Sequence, residues 1–195
     1  MVKALELYLT RGYMNMTISD LQAALQMGRG TMYYYFQDKE ELLRAVMKRY
    51  FIGPKQEMLK RINSEPDIDV EGMIGELMKY FEFLESILPL FDNKIVNTSF
   101  VVSLMLTSYQ LFPDLYRTAN KMTALERELW ERAIHNSINK GNVRANIDVA
   151  LVAHLFTNLK DAYDTGNSGT TIDFTIFPRS YNYLYELIKK QNDTI

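Results

Sequence analysis

Side chains that can contact DNA are concentrated in one stretch, residues 17–35. An arginine can pair with a guanine edge or clamp a phosphate, and a threonine hydroxyl can donate to phosphate. A tyrosine joins a flat ring, suited to a sugar or a thymine methyl, to a hydroxyl that reaches phosphate. The candidate DNA-binding residues, with one lysine just beyond the stretch, are Thr17, Arg29, Gly30, Thr31, Tyr33, Tyr34 and Lys39.

Two short helices joined by a tight turn would position these residues. Thr17 can cap the first helix, and Asp20, three positions on, completes a capping box. Met27-Gly28 supplies the turn, and the second helix is predicted over about 29–35. Small residues at its start let the backbone approach the major groove, where free amides attract phosphate. The pattern is that of a helix-turn-helix.

The aromatic run within the second helix could instead belong to a hydrophobic core. Met32 and Phe36 are spaced i, i+4, and we expect both to face inward. Tyr33 and Tyr34 cannot both join them, since neighbouring side chains on a helix point about 100° apart. These two tyrosines are therefore predicted to face DNA, whereas Tyr35 is left open between the two environments.

The rest of the chain has helical periodicity, and no convincing alternating strand occurs. The first helix is predicted over about 2–11 and stops at Gly12. A fourth begins after its cap Asp38, with Glu41 as capping-box partner. Further helices are predicted over about 70–88, 91–109, 113–140 and 147–165, and in a last segment that ends near 190. The fold class is therefore all-α, with nine helices.

Composition places the chain among ordinary globular proteins, with 195 residues, 47% hydrophobic and 24% charged. No apolar run is long enough to span a membrane, and no secretory signal is evident. The net charge is −2. Residues 1–50 carry seven basic and five acidic side chains, a net +2, whereas the remainder carries fifteen and nineteen, a net −4. This asymmetry has the sign expected if only the first quarter meets phosphate.

Catalytic and metal sites are not indicated. The chain has no cysteine, which excludes disulfides and thiolate ligands. His135 and His154, the two histidines, fall on different predicted helices, so neither is expected to bind a metal. We expect no cofactor and no enzymatic activity.

Residues 3–46 resemble the TetR family of bacterial transcriptional regulators. The resemblance is carried by Gly12-Tyr13, Thr17, the run 28–36 and Lys39 to Leu43. It implies a DNA-binding domain over 1–46 and a larger ligand-binding and dimerisation domain over 47–195. It also implies DNA contact by the seven candidates named above and a cytoplasmic location. Family members often carry a basic arm before the first helix; here that arm is either absent or encoded upstream.

The resemblance implies a homodimer in which predicted helices 8 and 9 pair with their mates. Their apolar stripes would suit such an interface or the chain's own core, and we expect each to do some of both. The stripe residues are Leu151, Leu155, Phe156, Leu159, Tyr181, Leu184, Tyr185 and Ile188.

A pocket for a largely apolar small molecule is expected among predicted helices 4 to 8. Its candidate lining is Met73, Tyr80, Leu84, Phe100, Leu104, Trp130 and Ile134. Methionine and aromatic side chains suit an adaptable site, but they suit ordinary core packing equally. His154 and Asn158 are possible polar contacts.

Gly53-Pro54 interrupts the fourth predicted helix, because proline lacks an amide hydrogen and clashes with the carbonyl four residues earlier. It could be a hinge that transmits ligand binding, or the boundary between a helix ending near Phe51 and one beginning at Pro54. The sequence as a whole indicates a repressor that leaves a palindromic operator when a small molecule binds. The alternative is a helical binding module whose helix-turn-helix no longer binds DNA specifically.

Overall fold

The computed structural model describes residues 1–87, 98–159 and 175–190, apart from the side chains at positions 29, 32 and 98. No β-strand occurs in these ranges, so the predicted all-α class is confirmed. The helices are α1 Val2–Arg11, α2 Ile18–Leu25, α3 Arg29–Tyr35, α4 Lys39–Met47, α5 Gly53–Asn63, α6 Val70–Ile87, α7 Thr98–Leu111, α8 Pro113–Asn139, α9 Val149–Asn158 and α10 Ile176–Ile188. The predicted helical residues 91–97 and 160–165 lie outside the described part of the chain.

A π-helical turn, Lys48–Ile52, joins α4 to α5 without a break. The amide of Gly53 donates to the carbonyl of Lys48, five residues back, which widens the helix just before Pro54. This wider turn accommodates a proline ring that a regular α-helix would clash with. Of the two alternatives, a boundary between a helix ending near Phe51 and one beginning at Pro54 is wrong, since the backbone is helical from Lys39 to Asn63, and the hinge stays a prediction. With α4, the π turn and α5 counted as one helix, the described residues contain nine.

The first of two compact units comprises residues 1–54 and 83–119, together with 163–172, which lie outside the described residues. Helix α1 is central to it, with Leu5 and Tyr8 almost fully buried. Gly12 ends α1 at a φ of 79°, and a side chain there would lie 3.1 Å from the ring of Phe100. Both the conformation and the close approach favour glycine. The predicted end of the first helix is confirmed.

The second unit comprises the described parts of 55–82, 120–162 and 173–195. Its core contains a stack of three buried rings, in which the ring of Trp130 lies 4.3 Å from Phe156 and 6.0 Å from Tyr181. Lys55 and Glu126 form a largely buried ion pair at 2.8 Å. These contacts join α5, α8, α9 and α10 into one core.

This division by packing does not coincide with the predicted functional boundary at residue 46, which stays a prediction. None of the described helices combines the length and hydropathy needed to cross a membrane.

Candidate nucleic-acid interface

The capping box at the start of α2 forms as predicted. The hydroxyl of Thr17 accepts a hydrogen bond from the amide of Asp20 at 3.2 Å, and the Asp20 carboxylate accepts from the amide of Thr17 at 2.8 Å. The same carboxylate accepts from the Thr17 hydroxyl at 2.6 Å. These bonds hold the pKa of Asp20 below its ordinary value, because they favour the ionised carboxylate.

The turn between α2 and α3 depends on Gln26. Its backbone is left-handed, with φ 52° and ψ 36°, and its amide donates hydrogen bonds to the carbonyl oxygens of Ala23 and Gln22. Gln26 is the one described non-glycine residue with positive φ. The connection between the two helices comprises Gln26, Met27 and Gly28, as expected, and the left-handed residue within it is Gln26. A non-glycine residue at positive φ carries a cost of order 1 kcal/mol.

The exposed face of α3 carries most of the predicted DNA contacts. Gly30 and Thr31 are exposed, and no atom lies within 4 Å of where a Gly30 side chain would begin. Tyr33 is 44% exposed and Tyr34 is 83% exposed. Tyr35, which the sequence left open, is 60% exposed and packs edge-on against Tyr34. The three tyrosines thus form an exposed aromatic surface on a helix of seven residues.

Phe36 follows α3 and packs, half-buried, against the core of the first unit, as expected. The backbones of Arg29 and Met32 are helical. Their side chains lie outside the described atoms, so DNA contact by Arg29 and inward packing of Met32 stay predictions.

Lys39, at the start of α4, binds two backbone carbonyls of the segment that leads into α2. Its ammonium donates to the oxygen of Met16 at 2.9 Å and to that of Tyr13 at 3.3 Å. It also lies 4.1 Å from the centre of the Tyr13 ring. The lysine therefore ties α4 to the short 3-10 turn Tyr13–Asn15. Sequence reasoning assigned Lys39 to DNA and missed this contact.

The ring held by Lys39 is fixed at its other end as well. The Tyr13 hydroxyl donates to the carboxylate of Glu40 at 3.2 Å, and the ring packs edge-on against Tyr8. Burial raises the pKa of Tyr13, and the charge of Glu40 raises it further. Tyr13 therefore stays neutral and acts as a rigid link between α1 and α4.

The cap of α4 differs in one detail from its prediction. The carboxylate of Asp38 accepts from the amide of Glu41 at 2.7 Å, as expected. The Glu41 carboxylate, however, accepts from the amide of Gln37 at 2.7 Å rather than from Asp38. The reciprocal bond is therefore displaced by one residue, although the extended backbone of Asp38, with φ −151° and ψ −178°, is usual for an N-cap.

The candidate effector residues do not fall into one compact unit. Met73, Tyr80, Trp130 and Ile134 belong to the second unit, and Leu84, Phe100 and Leu104 to the first. Phe100 approaches Gly12, and Leu104 lies in the same core as α1. Within the described residues, the indole N–H of Trp130 is buried and has no hydrogen-bond acceptor.

The predicted dimer stripes divide between buried and exposed positions. Phe156, Tyr181, Tyr185 and Ile188 are buried within their own protomer. Leu151 and Leu155 are exposed on α9, while Leu159 and Leu184 are half-buried. Two further apolar residues of α10, Tyr183 and Leu187, are exposed. No cluster of metal ligands occurs among the described side chains.

The first part of the chain matches a family model. Residues 1–46 match bacterial regulatory proteins of the tetR family, which are regulators and not enzymes. No curated protein sequence matches the chain.

Solved structures of transcriptional regulators share the fold. The ketosteroid transcriptional regulator KstR2 of Mycobacterium tuberculosis has a TM-score of 0.63 at 18% identity, over 97% of this chain and 93% of that one. The TetR family transcriptional regulator PfmR of Thermus thermophilus has a TM-score of 0.60 at 18% identity, over 95% of this chain and 96% of that one. The reduced form of Escherichia coli NemR has a TM-score of 0.59 at 17% identity, over 98% of this chain and 95% of that one. At these identities the likeness establishes the fold.

Proposed function

We propose that the chain is a transcriptional repressor, because its first 46 residues match the model of the tetR family of bacterial regulatory proteins and the chain has the fold of such regulators. It binds a palindromic operator as a homodimer and leaves the DNA when a small molecule binds. The observation that carries this proposal is the exposed face of α3, where Thr31, Tyr33 and Tyr34 lie open to solvent. An exposed cluster of large aromatic side chains has no role in the core and requires a partner.

Each residue of that face can make a different contact in the major groove. Gly30 allows the backbone to approach, and the hydroxyl of Thr31 donates to phosphate. Tyr33 and Tyr34 combine contact to sugars or thymine methyls with hydroxyl donation. The exposure of Tyr35 supports adding it to the predicted contacts.

Thr17 and Lys39 contribute to DNA binding in a more limited way than the residues of α3. The single hydroxyl hydrogen of Thr17 goes to Asp20, so the hydroxyl can donate to phosphate only after giving up that bond. The ammonium of Lys39 has three donors, of which two go to backbone carbonyls. One donor remains for phosphate. Both residues therefore also act by holding α2 and α4 in place.

The effector site is proposed to involve the second unit, where Met73, Trp130 and Ile134 are fully buried. The unpaired indole N–H of Trp130, judged against the described residues, favours an effector that combines an apolar body with a hydrogen-bond acceptor. A buried donor without an acceptor is costly, and a ligand atom that accepts from it would recover that cost.

A dimer through α9 and α10 is supported by their exposed apolar side chains. Leu151 and Leu155 on α9 share one helical face, and Tyr183 and Leu187 share another on α10. Pairing of two copies would cover these residues. It would also place two α3 helices on half-sites roughly 34–36 Å apart or a multiple of that spacing.

The decisive experiment is selection of bound sequences from a random duplex pool, followed by affinity as a function of salt. We expect an enriched inverted repeat, with a salt slope that estimates the number of phosphate contacts. A Tyr34→Ala variant should bind the selected site more weakly, while Tyr116→Ala, which changes an exposed tyrosine of α8 outside α3 and outside the proposed dimer surface, should bind it like the parent.

The competing module without specific DNA binding makes the opposite prediction. If the chain is such a module, the selection should give no enriched repeat, and DNA binding should be weak and salt-sensitive. Substitution of Arg29 should then leave the DNA affinity unchanged. The repressor predicts that Arg29→Ala costs roughly 1–3 kcal/mol on the selected site if this arginine contacts a base.

A further inference from the structure

A polar cleft lies between α8 and α9, apart from the apolar residues proposed for the effector. It has a volume of about 310 Å³, near the lower end for small-molecule sites. The residues around it are Asn120, Thr123, Ala124, Arg127, His154, Thr157 and Asn158.

The two helices contribute their lining residues at helical spacing. On α8 the four positions follow i, i+3, i+4 and i+7, and on α9 the three follow i, i+3 and i+4. Each set therefore forms one stripe that faces the cleft. Packed helices normally meet through apolar side chains. Here the stripes are mostly polar, so the helices are held by neighbouring contacts such as Trp130 on Phe156.

The charge in this cleft is positive. Arg127 is the charged lining residue, and no aspartate or glutamate is among the described residues that surround the cleft. Within the described part of the chain, Arg127 forms no ion pair or hydrogen bond, even with Glu131 one turn further along α8. Its guanidinium is therefore available to an external anion in the two-pronged geometry that carboxylates favour.

The polar neighbours can serve the rest of a ligand. Thr123 and Asn120 are exposed on α8, and neither is engaged by another described residue. On α9 the Asn158 amide donates to the carbonyl of His154 at 2.8 Å, which fixes its orientation. The Thr157 hydroxyl donates to the carbonyl of Ala153 at 2.8 Å, which fixes the orientation of this buried side chain.

We propose that this cleft binds a small organic monocarboxylate, with Arg127 pairing the carboxylate and the stripe residues of α8 and α9 enclosing the remainder. Because Arg127 is the charged residue of the cleft and no acidic side chain of the described lining neutralises it, the cleft favours a ligand with a single negative charge. The volume of the cleft limits the rest to a small ring or a short chain.

Isothermal titration calorimetry of the full chain tests this with acetate, benzoate and phenylacetate, each beside its neutral amide. We expect benzoate or phenylacetate to bind with one site per chain, and each amide to bind at least tenfold more weakly. Arg127→Gln should lose roughly tenfold or more in carboxylate affinity, whereas Arg127→Lys should retain part of it. Arg117→Gln, a second exposed arginine of α8 outside the cleft, is the matched control and should bind like the parent.

Three outcomes would overturn the proposal: no saturable binding of any carboxylate, equal binding of acids and amides, or binding that survives Arg127→Gln. Sedimentation velocity of the same variants identifies the competing occupant, an acidic side chain of a second copy. A dimer weakened by Arg127→Gln, together with no carboxylate binding, would assign the cleft to that contact instead.

Discussion

Arg44 of α4 forms a bidentate ion pair with Asp114 at the start of α8. One terminal nitrogen lies 2.6 Å from Oδ2 and the other 3.0 Å from Oδ1. The guanidinium carbon also lies 4.4 Å from the centre of the Phe112 ring. The hydrogen bonds from Arg44 hold the pKa of Asp114 below its ordinary value. In the first unit, the helix that follows the recognition element is therefore clamped to residues 70 positions away.

Replacing Asp114 with Asn should loosen this clamp without removing the Phe112 contact. Both partners are partly exposed, so the thermal midpoint should fall only slightly, by roughly 2 °C or less. The difference from the parent should shrink in 1 M salt, because ions screen an exposed pair. Glu128→Gln, an exposed acid of the same helix, should show neither effect. A salt-independent loss would mean that Asp114 acts through packing instead.

Gly53 is required by the π turn that precedes Pro54. A side-chain carbon at this position would lie 2.8 Å from the carbonyl oxygen of Lys48, closer than such atoms approach. We expect Gly53→Ala to lower the free energy of unfolding by about 1–3 kcal/mol in urea denaturation. Gly75→Ala on α6 meets no atom within 4 Å and should stabilise by about 0.5–1 kcal/mol. Equal effects of the two substitutions would contradict this account of the turn.

Lys39 should matter for folding even when no DNA is present. Lys39→Met keeps the length of the side chain but leaves the carbonyls of Tyr13 and Met16 without this donor. A loss of about 1–2 kcal/mol in the free energy of unfolding is expected. Lys60→Met, an exposed lysine of α5, should be nearly neutral. If Lys39 served only as a phosphate contact, the variant would fold with parental stability and lose about one unit of salt slope.

Acid should weaken the second unit through Asp69. Its pKa lies below the ordinary value because the Lys140 ammonium binds it at 2.8 Å and the Gly72 amide at 3.0 Å. Because the pKa of Asp69 is lower in the folded state than in the unfolded state, its ionised carboxylate stabilises the fold. This stabilisation is fully present above the unfolded-state pKa, near 4, and is lost as the pH falls through the lower folded-state pKa. Asp69→Asn should therefore destabilise at pH 7, with the difference vanishing in acid. Asp67→Asn, two residues earlier and exposed, is the control; a pH-independent difference at Asp69 would exclude this linkage.

Local chemistry explains why the helix-turn-helix could be predicted from the sequence. Thr17 and Asp20 cap α2 through contacts three residues apart, which spacing alone reveals. The exposure of Tyr34 follows similarly from the inward position of Phe36 on so short a helix. Such features depend on neighbours in the chain and are accessible without a structure.

The features that escaped prediction depend on distant partners or on backbone geometry. Lys39 binds carbonyls 23 and 26 residues earlier, and no residue type signals an available carbonyl. Pro54 indicates a break in an α-helix, but sequence does not distinguish a break from a π turn. Arg127 and His154 line one cleft only because α8 and α9 pack together.

The three-ring stack makes tryptophan fluorescence a specific probe of the second unit. Trp130 is the only tryptophan in the chain, and it is fully buried beside Phe156 and Tyr181. Its emission should therefore shift to the red when that core opens, whatever happens around α3. Far-ultraviolet circular dichroism follows helices of both units. Melting curves that coincide would mean the units unfold together, and curves that separate would reveal an intermediate with one of them intact.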